Sequence, residues 1–282
     1  MKYPKIGLAL GSGGARGIAH IGVIKTLEKY KIPIDIVAGS SIGAVVAASY
    51  AQDLNGNRLQ EIALSFSERK MISFVDFTLK GGLMKGNKLE AEISELLGEV
   101  SFSTSKIPFA VVATDYHTAE EVVFYDGDLV KAIRASIAVP PFLQPVADGE
   151  RVLADGGLSN PVPVEVVKKM GADIVIAVNL DTVYLENEMV REIPSLSSVP
   201  MHAIYILRHQ LALKSSKNAG VVIAPQVAYV GYLGWDYFFS KEKIMNLIQE
   251  GERVTEELIP QIKALISQKK RERSWFRRLL PF

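Results

Sequence analysis

The 282-residue sequence contains no cysteine. That excludes a disulfide framework and a thiolate zinc site, and it suits a reducing cytosol. A long apolar run is also missing. The nearest candidate, residues 34–51, is interrupted by Asp35, Ser40 and Ser41, and strand-forming residues give way to small ones halfway along. It reads as a buried strand, a turn and a helix rather than a membrane span. The opening "MKYPKIGLALGSGG" offers only a five-residue apolar run, too short for a secretory signal. Net charge is scarce as well: the formal value of +1 gives no global basic field, so no nucleic-acid partner is expected.

What remains is an ordinary globular composition. With 48% hydrophobic and 22% charged residues, the chain is folded rather than disordered and long enough for a substantial core. The small net charge hides an asymmetry: residues 268–282 carry six Lys/Arg and one Glu, a local +5, so the rest sums to −4. No repeat or low-complexity linker divides the chain. One α/β domain over residues 1–265 is expected, with a basic amphipathic tail over 266–282. On a helical wheel Trp275, Phe276, Leu279, Leu280 and Phe282 gather on one side of that tail, and Lys270, Arg271, Arg277 and Arg278 lie mainly on the other. The pattern suits an interfacial helix, so peripheral contact with an anionic membrane through residues 269–282 is expected, on the inner face for a cytoplasmic protein. Packing of the tail on the body or on a second subunit is the alternative; the oligomeric state is not readable.

The first fifty residues alternate strand and helix: "KIGLALG", a Gly-rich loop, "GIAHIGVIKTLEKY", "IDIVAG" and "IGAVVAASYA". Such alternation predicts a mostly parallel sheet covered by helices. Helix is expected over 57–100 with a break at "LKGGLMKGN", strands at 108–116 and 121–126, and a helix over 128–138 halted by Pro140-Pro141. A hairpin turn follows at Asp148-Gly149, then a helix over 162–172 and a strand over 173–180. A polar connection to about 198, a helix to about 218, a strand at 220–225 and a final helix from about 240 complete the reading.

Two segments carry chemistry. In "LGSGGARG", Gly11, Gly13, Gly14 and Gly17 lie between the first strand and helix, where backbone N–H groups can converge on an anion. That anion is either a pyrophosphate or a transient oxyanion. The dinucleotide fingerprint Gly-x-Gly-x-x-Gly fails because Arg16 holds its third glycine position. The looser spacing of some NADP-dependent reductases does fit, with Asp35 near a ribose, although Tyr237 and Lys241, which have the needed Tyr-x-x-x-Lys spacing, come very late.

The second segment, Gly39-Ser40-Ser41-Ile42-Gly43, is Gly-x-Ser-x-Gly on a strand-to-helix transition, the pattern of a nucleophile elbow. Ser41 is the candidate nucleophile, at the carboxyl end of a strand where open α/β sheets place ligands. A serine needs a base. Of His20, His117, His202 and His209, only His117 follows a strand. Asp155 in "VLADGGLSNPVPV" also stands at a strand end, before the tight loop begun by Gly156.

Taken in order, "GSGGARG", "GSSIG" and "ADGG" resemble the patatin-like phospholipase family, including its bacterial members. "RASIAVPPFLQPV" resembles a further block of that family, and the match covers residues 6 to about 180. The resemblance implies a three-layer α/β/α sandwich with a mostly parallel central sheet, and a Ser-Asp dyad in place of a triad. Ser41 would attack an ester carbonyl while Asp155 serves as base, and the N–H groups of Gly13, Gly14 and Ala15 would form the oxyanion hole. Arg16 would buttress the loop or meet a lipid phosphate, with Gly39, Gly43 and Gly156 in supporting positions. One departure is visible: Ser12 stands where the family usually has the first of three consecutive glycines. The implied activity is that of a serine lipid acyl hydrolase acting on phospholipid, lysophospholipid or a simpler ester, with no cofactor and no metal. An NADP-dependent reductase and a non-catalytic regulatory protein retaining the fold are the alternatives.

Overall fold

Alternating side-chain direction along the strands creates the layers. In a computed structural model, β1 (Ile6–Leu10), β2 (Ile36–Ser40), β3 (Phe109–Asp115) and β7 (Ile174–Val178) are buried along their whole length. One face sends Leu8, Val37, Val111 and Ile176 into a core shared with α1 (Ala19–Lys29), α2 (Ile42–Asp53) and α9 (Lys241–Leu279). The other sends Ala9, Ala38, Val112 and Ala177 against α6 (Val164–Lys169) and Ala212 of α7 (Val199–Ser216). A strand covered on both faces has no polar side to show, which is why these segments read as continuous apolar runs. The structure describes residues 3–69, 74–98, 100–182, 199–230 and 234–279, with backbone only for 274–279.

The sheet runs β5-β6-β3-β2-β1-β7-β8, with β4 (Glu121–Phe124) on β3. β1, β2, β3, β7 and β8 (Val221–Ile223) are parallel, while β4, β5 (Val146–Asp148) and β6 (Arg151–Asp155) pair antiparallel. It is therefore a mixed, mostly parallel sheet with helices on both sides, as expected. The remaining helices are α3 (Gly56–Phe66), α4 (Asn87–Leu97), α5 (Leu129–Ser136) and the short α8 (Trp235–Phe238).

The register on β3 joins two distant segments. Val112 pairs with Ser40 of β2, and the next residue, Ala113, pairs with Asp155 of β6. The carboxyl ends of two strands far apart in sequence thus arrive at adjacent positions on a third.

Among the described residues no helix is long and apolar enough to cross a membrane. The long helix α9 runs without interruption through residue 265 into the basic region. There Arg273 pairs with Asp173, and the Lys270 ammonium lies 3.9 Å from the Tyr3 ring centre. The side chains of Trp275, Phe276 and Leu279, which carry the expected apolar face with Leu280 and Phe282, lie outside what is described, as does most of the connection before residue 199.

Candidate active site

The elbow forms because nothing larger than glycine fits beside it. A Cβ on Gly39 would lie 2.1 Å from the Gly43 carbonyl oxygen, and one on Gly43 would lie 2.2 Å from that of Leu10. Helix α2 therefore starts against the strand ends. Between them Ser41 adopts φ 56°, ψ −127°, a backbone region that costs a non-glycine residue about 1–3 kcal/mol. Its N–H donates to Ser136 Oγ at 2.9 Å, and that hydroxyl donates to the Val112 carbonyl at 2.5 Å. The strained turn is thus pinned from the end of α5.

Ser41 Oγ donates to Asp155 Oδ2 at 2.5 Å. The second oxygen of Asp155 accepts the Gly157 N–H at 2.7 Å, and its main-chain carbonyl accepts the Thr114 hydroxyl at 2.8 Å. Gly156 lets this strand end close in, since a Cβ there would lie 2.1 Å from the Val112 carbonyl oxygen. Burial raises the Asp155 carboxyl to about 6. The Ser41 hydrogen bond, the Arg208 charge and the Gly157 N–H oppose that rise, and the Asp181 charge adds to it. A carboxyl so placed is ionised at neutral pH yet holds a proton far better than an exposed aspartate.

The glycine loop lies on the same side of the sheet ends. The Gly11 N–H is committed to the Val178 carbonyl and the Ser12 N–H to that of Pro161. Gly13 then leads into a 3₁₀ turn, Gly14–Ile18, with Gly14 in the left-handed region at φ +57°. The first N–H groups of such a turn lack internal acceptors. Among the described residues those of Gly13, Gly14 and Ala15 have no hydrogen-bond partner. Ser12, the departure from three consecutive glycines, therefore stands at a position whose N–H is already occupied.

Arg16 is turned inward. Only 5% exposed, it donates to the carbonyls of Gly13 and Leu180, and it pairs with Asp181 at 2.8 Å. Its guanidinium thus ties the Gly13 carbonyl to Leu180 and Asp181. Asp181 also pairs with Arg208 of α7 at 2.6 Å. Burial works to raise the Asp181 carboxyl, but the two guanidinium groups outweigh it and hold the carboxyl below the usual range.

Asp181, Arg208 and Ser136 are missed by motif reading. Asp181 had one available signal, an acidic residue just past the buried strand that neighbours the glycine-loop strand. Ser136 lies inside the recognised block "RASIAVPPFLQPV" but resembles any small helical residue.

The histidines lie elsewhere. His20 Nε2 meets the Gly11 carbonyl at 2.8 Å, and burial pushes its ring down to about 4 against that hydrogen bond, leaving it neutral. His117 is exposed in the β3–β4 turn, its ring against Tyr116. His202 and His209 belong to α7, where His209 Nδ1 meets the Asp181 carbonyl at 2.6 Å. The reductase constellation is not assembled either. Asp35 precedes β2 and accepts the Ile6 N–H, which puts it at the amino ends of the strands, opposite the glycine loop.

Ser41 and Gly14 open into a cavity of about 200 Å³. Its walls are apolar: Ile21, Val46, Leu59 and Phe66 from α1, α2 and α3, Ile93 from α4, Leu143 beyond α5, and Trp235 and Phe238 from α8. Glu92, the charged residue among them, is ion-paired with Arg69. The cavity suits a flexible hydrocarbon chain whose polar end reaches the serine.

A mixed α/β/α sandwich with a serine on a strand-to-helix elbow, a carboxylate beside it and an apolar cavity above defines the class. The chain belongs to the patatin-like phospholipase family, whose sequence model matches residues 8–168, more than half of it. An uncharacterised NTE family protein of Mycobacterium tuberculosis is 40% identical over 182 residues, which cover 63% of this chain and 49% of that protein. The human patatin-like phospholipase domain-containing protein 6 is 32% identical over 182 residues, covering 62% of this chain and 13% of that one. The shared region is thus about half of the mycobacterial relative and a small part of the human one. Among solved structures, VipD from Legionella pneumophila is similar with a TM-score of 0.45 at 12% identity, over 92% of this chain and 67% of that one.

Proposed function

We propose that this protein is a serine lipid acyl hydrolase working through a Ser41–Asp155 dyad. The observation that carries the reading is the 2.5 Å hydrogen bond between Ser41 Oγ and Asp155 Oδ2, with Ser41 lining an apolar cavity. Family membership and the esterase and phospholipase names of its relatives support it.

In the first half-reaction the Ser41 oxygen attacks the ester carbonyl carbon as its proton passes to Asp155 Oδ2. The carbonyl oxygen becomes an oxyanion held by the N–H groups of Gly13, Gly14 and Ala15, each worth roughly 10²–10³ in rate if lost. Collapse breaks the bond to the alcohol oxygen, which takes the proton back from Asp155 and leaves an acyl-serine. Water then repeats the sequence: Asp155 removes its proton, the hydroxide oxygen attacks, and Ser41 departs reprotonated with free fatty acid as product. Asp155 therefore has to be a stronger base than an exposed carboxylate, and burial makes it one. The acyl chain occupies the cavity while the headgroup side faces outward.

The test is a panel of phospholipids, lysophospholipids and simple esters with mass-spectrometric detection of released fatty acid. Release that disappears in Ser41→Ala and Asp155→Asn supports the dyad. Full release by Asp155→Asn, or a dead His117→Ala, contradicts it.

A further inference from the structure

Between α3 and α4 the chain leaves the body as a short hairpin. Phe77 and Met84 bridge antiparallel, the Thr78 N–H donates to the Leu83 carbonyl at 3.0 Å, and Met84 in turn bridges Leu143. The root is tightly held. The Arg134 guanidinium, buried under it, donates to the carbonyls of Lys85, Gly86 and Gln144, and Asp76 accepts the Gly86 and Asn87 N–H groups at 2.8 Å each. A hairpin so anchored is a fixed projection.

Its tip is built against the usual rule for surfaces. Leu79 is 95% exposed, Phe77 78% and Leu83 48%, all within seven residues. Isolated exposed apolar side chains need no explanation, but three on one small projection do. The same stretch is basic. Residues 74–88 contain Lys80, Lys85 and Lys88 against a single acid, Asp76, whose carboxylate is turned into the root. Among the described residues none of the three lysines is ion-paired.

The hairpin is also attached to the cavity wall. Phe74 just before it and Leu89 just after it line the cavity that Ser41 lines, as do Phe142, whose carbonyl accepts the Leu83 and Met84 N–H groups, and Leu143, the bridge partner of Met84.

We propose that the 77–83 hairpin inserts into the surface of an anionic lipid bilayer, seating the cavity mouth on the membrane from which the acyl chain is drawn. Apolar tip residues enter the acyl boundary while the flanking lysines meet headgroup phosphates. The inference extends the acyl-hydrolase reading of the same cavity, and its binding arm does not depend on turnover.

Binding is read by flotation with vesicles of phosphatidylcholine and phosphatidylglycerol, using the full chain carrying Ser41→Ala so that no lipid is consumed. Adding Phe77→Ser with Leu79→Ser is expected to lower partitioning by at least about tenfold. Lys80→Glu with Lys85→Glu is expected to weaken binding to the mixed vesicles and not to pure phosphatidylcholine. In the chain with Ser41 intact, the tip changes should leave hydrolysis of soluble p-nitrophenyl butyrate unaltered and reduce fatty-acid release from vesicles. Unchanged thermal melting keeps misfolding out of the result. Tip variants that bind like the parent overturn the proposal, as does a parent that binds neither vesicle. Binding lost only when residues 274–282 are removed places the anchor in the tail. A tip change that dissolves a dimer without altering flotation assigns the patch to a second copy. Vesicle binding that needs the tip, in a chain that cleaves no ester, would keep the docking surface and refute the hydrolase reading.

Discussion

The Ser136 hydroxyl accepts the Ser41 N–H and donates to the Val112 carbonyl, so one small side chain links the strained elbow to the strand that aligns it. Both hydrogen bonds are buried. Ser136→Ala should leave a buried N–H without its partner, at a cost of about 1–3 kcal/mol in stability. Loosening the nucleophile should also lower kcat, roughly ten- to a hundredfold. Thermal melting and steady-state kinetics check the two effects separately. Ser136→Ala with wild-type kcat would show that the elbow needs no such support.

How much of the fold and site is legible in the sequence depends on range. The β1–α1–β2–α2 order is legible because strands buried on both faces appear as apolar runs and glycine marks their ends. Ser41 is legible because the elbow imposes small neighbours only two residues away. Asp155 stands at a visible strand end, but its pairing with Ser41 comes through family resemblance; the physical reason is the β3 register, which no local pattern encodes. Ser136, Asp181 and Arg208 act across the fold and carry no local signature. The cavity draws walls from residues as distant as Gly14 and Phe239, so composition alone could not outline it. Asp35 misleads because spacing alone does not say at which end of the sheet a residue lies.

Asp155 should reveal its burial through stability. Its carboxyl is raised to about 6 from an ordinary 3.8, so the folded state holds the proton more tightly than the unfolded chain. That contribution favours folding fully below pH 3.8 and is lost as pH climbs through about 6. At pH 8 the buried charge costs up to about 3 kcal/mol. Asp155→Asn removes the charge and keeps the shape, so it should melt higher than wild type at pH 8, with the gap closing toward pH 4. An equal gap at both pH values would contradict the assigned burial effect.

The same group should govern catalysis with pH. The base has to be unprotonated, so kcat/KM should rise tenfold per pH unit on the acid side and level off above about 6. The Arg208 charge helps to hold that value down. Arg208→Gln should therefore displace the acid limb to higher pH, an effect that a purely structural loss would not produce. A pH–rate profile of the two proteins on a soluble ester makes the comparison.

Filling the cavity should change chain-length preference. Ala63 of α3 lines it beside Phe66. Ala63→Trp should reduce kcat/KM for long acyl esters strongly and leave acetate esters nearly unaffected. A series of p-nitrophenyl esters reads this directly, and a uniform loss at every chain length would place the acyl group elsewhere.

Active-site labelling with a fluorophosphonate, followed by peptide mass mapping, tests the dyad most directly. The expected result is one adduct, on Ser41, absent from Ser41→Ala and formed far more slowly in folded Asp155→Asn. An adduct on another residue, or Ser41 labelling at the wild-type rate in Asp155→Asn, would contradict it.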